Sequence, residues 1–217
     1  MIDKKPRERL RARIEQYPLL KDAFPPETWE ATITDLCERW CEPHRSWHGP
    51  KHLADLLQKI AKRYRGPAAT CLQLIALYHD AIYNPKAKDN EEKSTELWLL
   101  SPASQKNKSL ASPVAVALLE TKYKHRPSSQ LGVMFMELDC AALHASASAQ
   151  EKQEYEEGIR QEYLKIGWKK YKALRTKFLA KWGERFPEYK PGTEAQLDIL
   201  ETLKPNRKPD AGIQIPR

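Results

Sequence analysis

Two histidines four residues apart stand at the start of a predicted helix. In the segment RSWHGPKHLADLL at 45–57, Pro50 suits the first helical position and Gly49 suits the cap. His52 then lies in the first turn, where a helix can hold it as a metal ligand, and His48 lies in the loop before it. We expect His52 to bind a metal ion and His48 to meet a substrate, and the reverse assignment stays open.

An adjacent histidine and aspartate close an almost wholly apolar segment. The stretch PAATCLQLIALYHDAIY at 67–83 is apolar on nearly every side, which predicts a central helix surrounded by others. His79 and Asp80 at its end must be paired or leave buried polar atoms at a cost of a few kcal/mol. Because Pro85 follows, the helix is expected to stop near Tyr83, and the partial negative charge of its last carbonyls favours a cation there.

A carboxylate on a third predicted helix faces the core. In QLGVMFMELDCAALHA at 130–145, the apolar side chains recur at spacings of three and four and share one helical face. Asp139 lies at the edge of that face, whereas Glu137 projects away from it. We therefore predict Asp139 as the inward carboxylate, which needs a cation or several hydrogen-bond donors.

The composition predicts an all-α protein that positions these side chains. The 217 residues are 41% hydrophobic and 30% charged, which is enough apolar material for a core, and only 8 are glycine, which disfavours a turn-rich β-sandwich. We expect a bundle of about eight to ten helices in one domain over 1–203 and a flexible C-terminal tail over 204–217. The predicted helices cover 5–16, 26–41, 50–64, 67–82, 91–100, 112–124, 129–144, 148–166, 168–185 and 193–203.

Charge and cysteine usage limit the expected environment and partners. The chain has no run of about 18 apolar residues, and its first residues lack the apolar stretch of a secretory signal. Its four cysteines form no disulfide framework of the secreted kind. We therefore expect a soluble cytoplasmic protein without membrane association, and the formal net charge of +8 favours anionic ligands.

Together these segments resemble the HD superfamily of metal-dependent phosphohydrolases, in which a histidine, an adjacent His-Asp pair and a distant aspartate bind one or two divalent metals. Four blocks are similar, in order, to those of a bacterial group of predicted HD phosphohydrolases: RSWHGPKH at 45–52, YHDAIYNPKAKDNEEKST at 78–95, ELDCAALH at 137–144 and GIRQEYLKIGWKKY at 158–171. The chain departs from that group at three positions, with Trp47 in place of tyrosine, Glu137 in place of aspartate and His144 in place of glycine. No metal-ligand position is changed. The resemblance covers about residues 40–185 and implies an HD-type helical domain with core motifs over 45–182.

The resemblance also implies roles for individual residues. The metal ligands are His52, His79, Asp80 and Asp139, and such donors suit one or two ions of Mn, Fe, Co, Ni, Zn or Mg. A similar block of cyclic-nucleotide phosphodiesterases implies that His48 donates a proton. Catalytic roles are also expected for Asp80 and for Glu92. Glu92 belongs to an acidic cluster at 89–92, and the alternative for this cluster is that it caps helix 91–100 and has no part in the chemistry. The expected substrate-binding residues are Arg45, Asn90, Lys122, His125 and Arg160.

The predicted function is that of an enzyme that uses metal-activated water to hydrolyse a phosphate ester or anhydride. The expected substrate is a small phosphorylated molecule, with a nucleotide favoured. A non-catalytic HD module that binds a nucleotide or a protein partner is the alternative. Nucleic-acid binding by the basic, aromatic-rich stretch at 159–186 is a third hypothesis, and nucleic acid is not expected as the main ligand. Apolar residues of that stretch recur near helical spacing, which predicts that they belong to the core: Tyr163, Ile166, Leu174, Phe178 and Trp182.

Overall fold

The computed structural model describes residues 5–203 of the chain, and the tail predicted over 204–217 lies outside them. The described residues contain twelve α-helices, two short 3-10 helices and no strand, so the predicted all-α class is confirmed. No disulfide joins the four cysteines. None of the helices in 5–203 combines the length and the apolar character needed to cross a bilayer.

The described helices form two compact units, the first ending at Asp139 and the second beginning at Cys140. The first unit holds α1 (Lys5–Ile14), α2 (Pro18–Asp22), α3 (Pro26–Trp40), α4 (Pro50–Arg63), α5 (Gly66–Tyr78), α6 (Asn90–Leu99), α7 (Pro102–Lys106), α8 (Lys108–Glu120) and α9 (Gln130–Asp139). The second holds α10 (Ala149–Glu162), α11 (Trp168–Arg185) and α12 (Lys190–Thr202), with 3-10 turns at Ala141–Leu143 and Pro187–Tyr189. A single domain over 1–203 stays a prediction.

All ten predicted helices are present, and the sequence pattern missed two short ones. The missed helices α2 and α7 have five residues each, too few to show a periodic apolar face. Several predicted ends were also wrong, and two of them bear on the candidate site: α5 ends at Tyr78 rather than near Tyr83, and α9 ends at Asp139 rather than at 144. Helix α5 therefore ends directly before His79 and Asp80, and α9 ends at Asp139.

Proline opens the helix that carries His52, as it opens α2, α3 and α7. Pro50 is the first residue of α4 and Gly49 is its extended cap residue, as predicted. Proline suits this position because its fixed φ is helical and its missing N–H would have no partner there. His52 consequently lies in the first turn of α4, and His48 lies in the loop before it.

Helix α5 is the centre of the first unit. Every residue from 71 to 78 is buried, and the helix packs against α2, α4, α6, α8 and α9. The Trp40 indole at the end of α3 donates a hydrogen bond to the Leu77 carbonyl at 2.9 Å. The predicted central helix is thereby confirmed, and packing against α4 and α9 brings the other polar segments to it.

The second unit is built on packing of α11 against α12 and of α10 against α12. A buried Arg175 guanidinium makes paired hydrogen bonds to the Glu156 carboxylate, at 2.7 Å from Nη2 to Oε1 and 3.0 Å from Nε to Oε2. Such a two-point ion pair satisfies both charges away from water. Ser148 and Glu151 form a capping box at the start of α10.

Two residues predicted in the core of this unit lie on its surface. Leu174 is 51% exposed and Phe178 is 41% exposed, whereas Trp182 is buried as predicted. The buried face of α11 carries Tyr171, Leu179 and Trp182. Leu174 and Phe178 lie at one edge of that face, where the Phe178 ring still contacts Trp182 at 5.6 Å between centroids. Near-helical spacing therefore did not specify how much of the apolar face is covered.

Candidate metal centre

The four predicted metal ligands lie at the ends of three helices of the first unit. His79 directly follows the last residue of α5, and Asp80 comes next. His52 belongs to the first turn of α4, and Asp139 is the last residue of α9. The side chains are 6% exposed for His52, 2% for His79, 18% for Asp80 and 14% for Asp139, so the cluster is largely shielded from water.

Three pairs of these side chains approach at about the distances expected of ligands around one ion. His79 Nε2 lies 3.2 Å from Asp80 Oδ2, and Asp139 Oδ1 lies 3.1 Å from His52 Nε2 and 3.6 Å from His79 Nε2. Ligands about 2.1 Å from a metal lie roughly 3.0–3.5 Å from their neighbours in octahedral or tetrahedral geometry. The ligand atoms of His52, His79 and Asp80 all lie within 4.8 Å of one another, and this group could hold a metal ion.

The His79 imidazole is oriented as a metal ligand requires. Its Nδ1 lies 2.9 Å from the Ala76 carbonyl oxygen, which can only accept, so Nδ1 carries the proton. In the neutral ring, Nε2 then presents a lone pair towards Asp80. This Nε2 is buried without a hydrogen-bond partner in the structure. A backbone carbonyl behind the imidazole and an unsatisfied nitrogen facing a carboxylate fit a bound cation.

The same arrangement shifts the acidities of the cluster. Burial opposes charge on His79, but the neighbouring Asp80 carboxylate raises the pKa of His79 to about 9. Burial also opposes charge on Asp80, yet the imidazole of His79 holds the pKa of Asp80 well below its ordinary value. Burial lowers the pKa of His52 despite its contact with Asp139. The site therefore favours carboxylates that are ionised and balanced by positive charge.

The structure confirms that Asp139, and not Glu137, is the inward carboxylate. Glu137 is exposed on α9. Asp139 Oδ2 also accepts a hydrogen bond from the Tyr123 hydroxyl at 2.8 Å. Tyr123 is buried, and we did not predict it as a site residue because its position in the chain carries no motif. The sequence predicts its neighbours Lys122 and His125 as site residues instead.

The Arg45 guanidinium is used for internal contacts, and the substrate-binding role expected for it stays a prediction. Its guanidinium donates to the carbonyls of Asp80 at 2.6 Å, His48 at 3.1 Å and Ala81 at 3.2 Å. It also pairs with Glu42 at 2.9 Å, and its side chain is fully buried. Arg45 therefore supplies positive charge to the turn that follows α5, close to the helix end where a cation is expected.

The predicted Glu92, Asn90 and Lys122 hold the segment before α6 to its surroundings. Lys122 Nζ binds the Glu92 carboxylate and also donates to the Lys88 carbonyl at 2.7 Å. Asn90 exchanges two hydrogen bonds with the backbone of Asn84, at 3.1 Å and 3.0 Å. These contacts give all three residues a structural task, and a catalytic or substrate-binding task for them stays a prediction.

The remaining predicted residues lie in different places. The His48 ring is half-buried, with its centroid 6.2 Å from that of His52, so the structure brings it to the cluster. His125 is exposed in the connection between α8 and α9. Arg160 belongs to the second unit, where its guanidinium donates to the carbonyls of Tyr163 and Ile166 at 2.9 Å and 3.2 Å.

Comparisons with family models, with curated proteins and with solved structures found no match to this chain.

Proposed function

We propose that this protein is a metal-dependent phosphohydrolase of the HD type. The observation that carries the proposal is the buried group of His52, His79 and Asp80, in which His79 Nε2 has no hydrogen-bond partner and faces a carboxylate. The fourth residue of the resemblance, Asp139, places Oδ1 3.1 Å from His52 Nε2. Four residues from three distant stretches thus converge in the order that resembles the HD superfamily.

The donor set suits one divalent ion. Imidazole nitrogens and carboxylate oxygens together favour Mn, Fe, Co, Ni, Zn or Mg. The part of the chain that the structure describes contains one group of this kind, so the proposal takes one ion. When bound, a divalent ion supplies Lewis acidity at phosphoryl oxygens and lowers the pKa of water from about 16 to about 7.

His48 is proposed as the residue that protonates the departing oxygen. Its ring lies in the loop before α4, 4.5 Å from the Tyr83 ring and 6.2 Å from the His52 ring, measured between centroids. It therefore neighbours the ligand group without belonging to it. Histidine exchanges its proton near neutral pH, which suits it to general acid catalysis.

An aromatic ring beside His48 favours a nucleotide as substrate. Trp47 and Tyr83 are both half-buried, and the Trp47 ring lies 5.5 Å from that of His52 between centroids. The Trp47 indole could stack on a base, which contributes about 1–3 kcal/mol for each stacked base. The Tyr83 ring is already covered, because Arg45 lies over it and His44 stacks on it. The positive end of the α4 dipole, in the same loop, favours the negative phosphate. Base and phosphate would thus both meet the 47–52 segment.

Release of phosphate from a nucleotide panel tests the proposal. EDTA-treated protein is supplied with Mn²⁺ or Co²⁺ and incubated with nucleoside mono-, di- and triphosphates and with phosphodiesters. We expect turnover of at least one substrate, and loss of that turnover in Asp80→Ala. The matched control is Asp55→Ala, which removes an exposed carboxylate on α4 that pairs with Lys51 at 3.1 Å. This control should keep wild-type activity.

Three results would contradict the proposal. Equal phosphate release by wild type and Asp80→Ala would show that the cluster does not carry the reaction. Saturable nucleotide binding without turnover under any metal would instead identify the non-catalytic module. Ligand binding that survives His79→Ala and weakens steeply with salt would favour nucleic acid, because release of counterions dominates such binding.

A further inference from the structure

A buried tyrosine contacts Asp139 from the connection between α8 and α9. Tyr123 is 7% exposed, and its hydroxyl donates to Asp139 Oδ2 at 2.8 Å. The other carboxylate oxygen, Oδ1, lies 3.1 Å from His52 Nε2 and 3.6 Å from His79 Nε2. The two oxygens of Asp139 therefore have different partners, the tyrosine hydroxyl for one and the imidazole pair for the other.

The backbone of Tyr123 is held in an unfavourable conformation to make this contact. Among residues 5–203 it is the one residue other than glycine with a positive φ, at 45°. In this left-handed region a Cβ atom crowds the backbone, so the surrounding structure must maintain the conformation. Residues held in this way cluster at functional sites, where the strain serves to place a side chain.

Glu120 provides the support that maintains this turn. The amide of Tyr123 donates to the Glu120 carbonyl at 3.0 Å. The Glu120 carboxylate accepts hydrogen bonds from the amides of Ser128 and Ser129 at 2.7 Å and 3.0 Å. The last residue of α8 thus ties both sides of the connection together, and Tyr123 lies between these ties.

We infer that Tyr123 is a positioning residue for Asp139, with its hydroxyl holding Oδ2 so that Oδ1 is kept for the metal ion. This inference rests on the proposed function, because it treats Asp139 as a ligand. A hydroxyl directed at one oxygen restricts rotation of the carboxylate about its last torsion and leaves the second oxygen towards the imidazoles. Hydrogen-bond partners of metal ligands typically change metal affinity by about 10–100-fold. Tyr123 itself touches neither ion nor substrate.

Removing only the hydroxyl tests the inference. In Tyr123→Phe the ring and backbone are kept, and we expect the Mn²⁺ dissociation constant, measured by calorimetry on EDTA-treated protein, to rise about 10–100-fold. The visible absorption spectrum of the Co²⁺-loaded variant should change as well, because it reports ligand geometry rather than activity. Tyr64→Phe is the matched control, since Tyr64 is a half-buried residue at the end of α4. It should bind Mn²⁺ like wild type.

A double mutant separates positioning of the carboxylate from a general loss of structure. In an Asp139→Ala background, adding Tyr123→Phe should leave the Mn²⁺ dissociation constant unchanged, because the hydroxyl acts through the missing carboxylate. Thermal midpoints in EDTA establish that each variant is folded. If Tyr123→Phe alone changes neither affinity nor spectrum, or weakens binding equally in the Asp139→Ala background, the inference is overturned and the metal site stands. If wild type binds neither Mn²⁺ nor Co²⁺, the proposed function fails and the inference fails with it.

Discussion

Replacing Arg45 by methionine is expected to destabilise the first unit strongly. The guanidinium donates to the carbonyls of His48, Asp80 and Ala81, and it lies over the rings of Trp40 and Tyr83. Methionine fills much of the same space but donates no hydrogen bond, so three carbonyls near the end of α5 lose their donor.

The expected loss follows from these three carbonyls. An unsatisfied buried acceptor costs about 1–3 kcal/mol, which gives roughly 3–9 kcal/mol for three. We expect the lower part of this range, about 3–5 kcal/mol, because His48 and Asp80 are only partly buried and water can replace some donors. The thermal midpoint should fall by roughly 10 °C for a chain of this size.

Urea unfolding followed by circular dichroism measures this loss. The matched control is Arg39→Met, which breaks an exposed pair with Asp35 at 2.7 Å and should cost less than about 1 kcal/mol. A stability of Arg45→Met within about 1 kcal/mol of wild type would refute the structural assignment. If this variant also raised KM for the nucleotide, that result would support the substrate-binding role predicted for Arg45 from its place in the motif.

Two further variants test local features of each unit. Hydrogen bonds from Ser129 hold the pKa of Glu120 below its ordinary value although partial burial opposes its charge. Glu120→Gln should therefore cost about 1–3 kcal/mol at pH 7. A carboxyl group whose pKa is lower in the folded state stabilises the protein above its unfolded pKa, near 4.3 for glutamate, and this stabilisation is lost as the pH falls through the folded pKa. The difference in unfolding free energy between wild type and Glu120→Gln, measured by urea unfolding, should therefore shrink as the pH falls towards about 3. A difference that stays constant with pH would contradict this prediction. In the second unit, a Cβ at Gly192 would collide with the Leu143 carbonyl, so Gly192→Ala should lower the unfolding free energy by about 1–3 kcal/mol. An unchanged thermal midpoint would contradict this prediction, because it would show that the backbone around Leu143 can move away from the added methyl group.

The sequence alone determined the helical class, the order of the chemical residues and the facing of Asp139. Apolar spacing over ten helices is a local property, and proline and glycine at 49–50 mark the start of α4 without any tertiary contact. The angle between positions 137 and 139 on a helix likewise follows from helical geometry. These predictions succeeded because each depends on residues close together in the chain.

The tertiary structure alone decided which partners each polar group finds. Arg45 binds carbonyls 35 and 36 residues away, and Tyr123 reaches Asp139 across a connection whose turn has no sequence signature. Leu174 and Phe178 lie at the surface because a helical repeat does not say how much of an apolar face the neighbouring helices cover. Hydrogen bonds and burial between distant segments depend on how helices pack, and the local pattern carries no information on that packing.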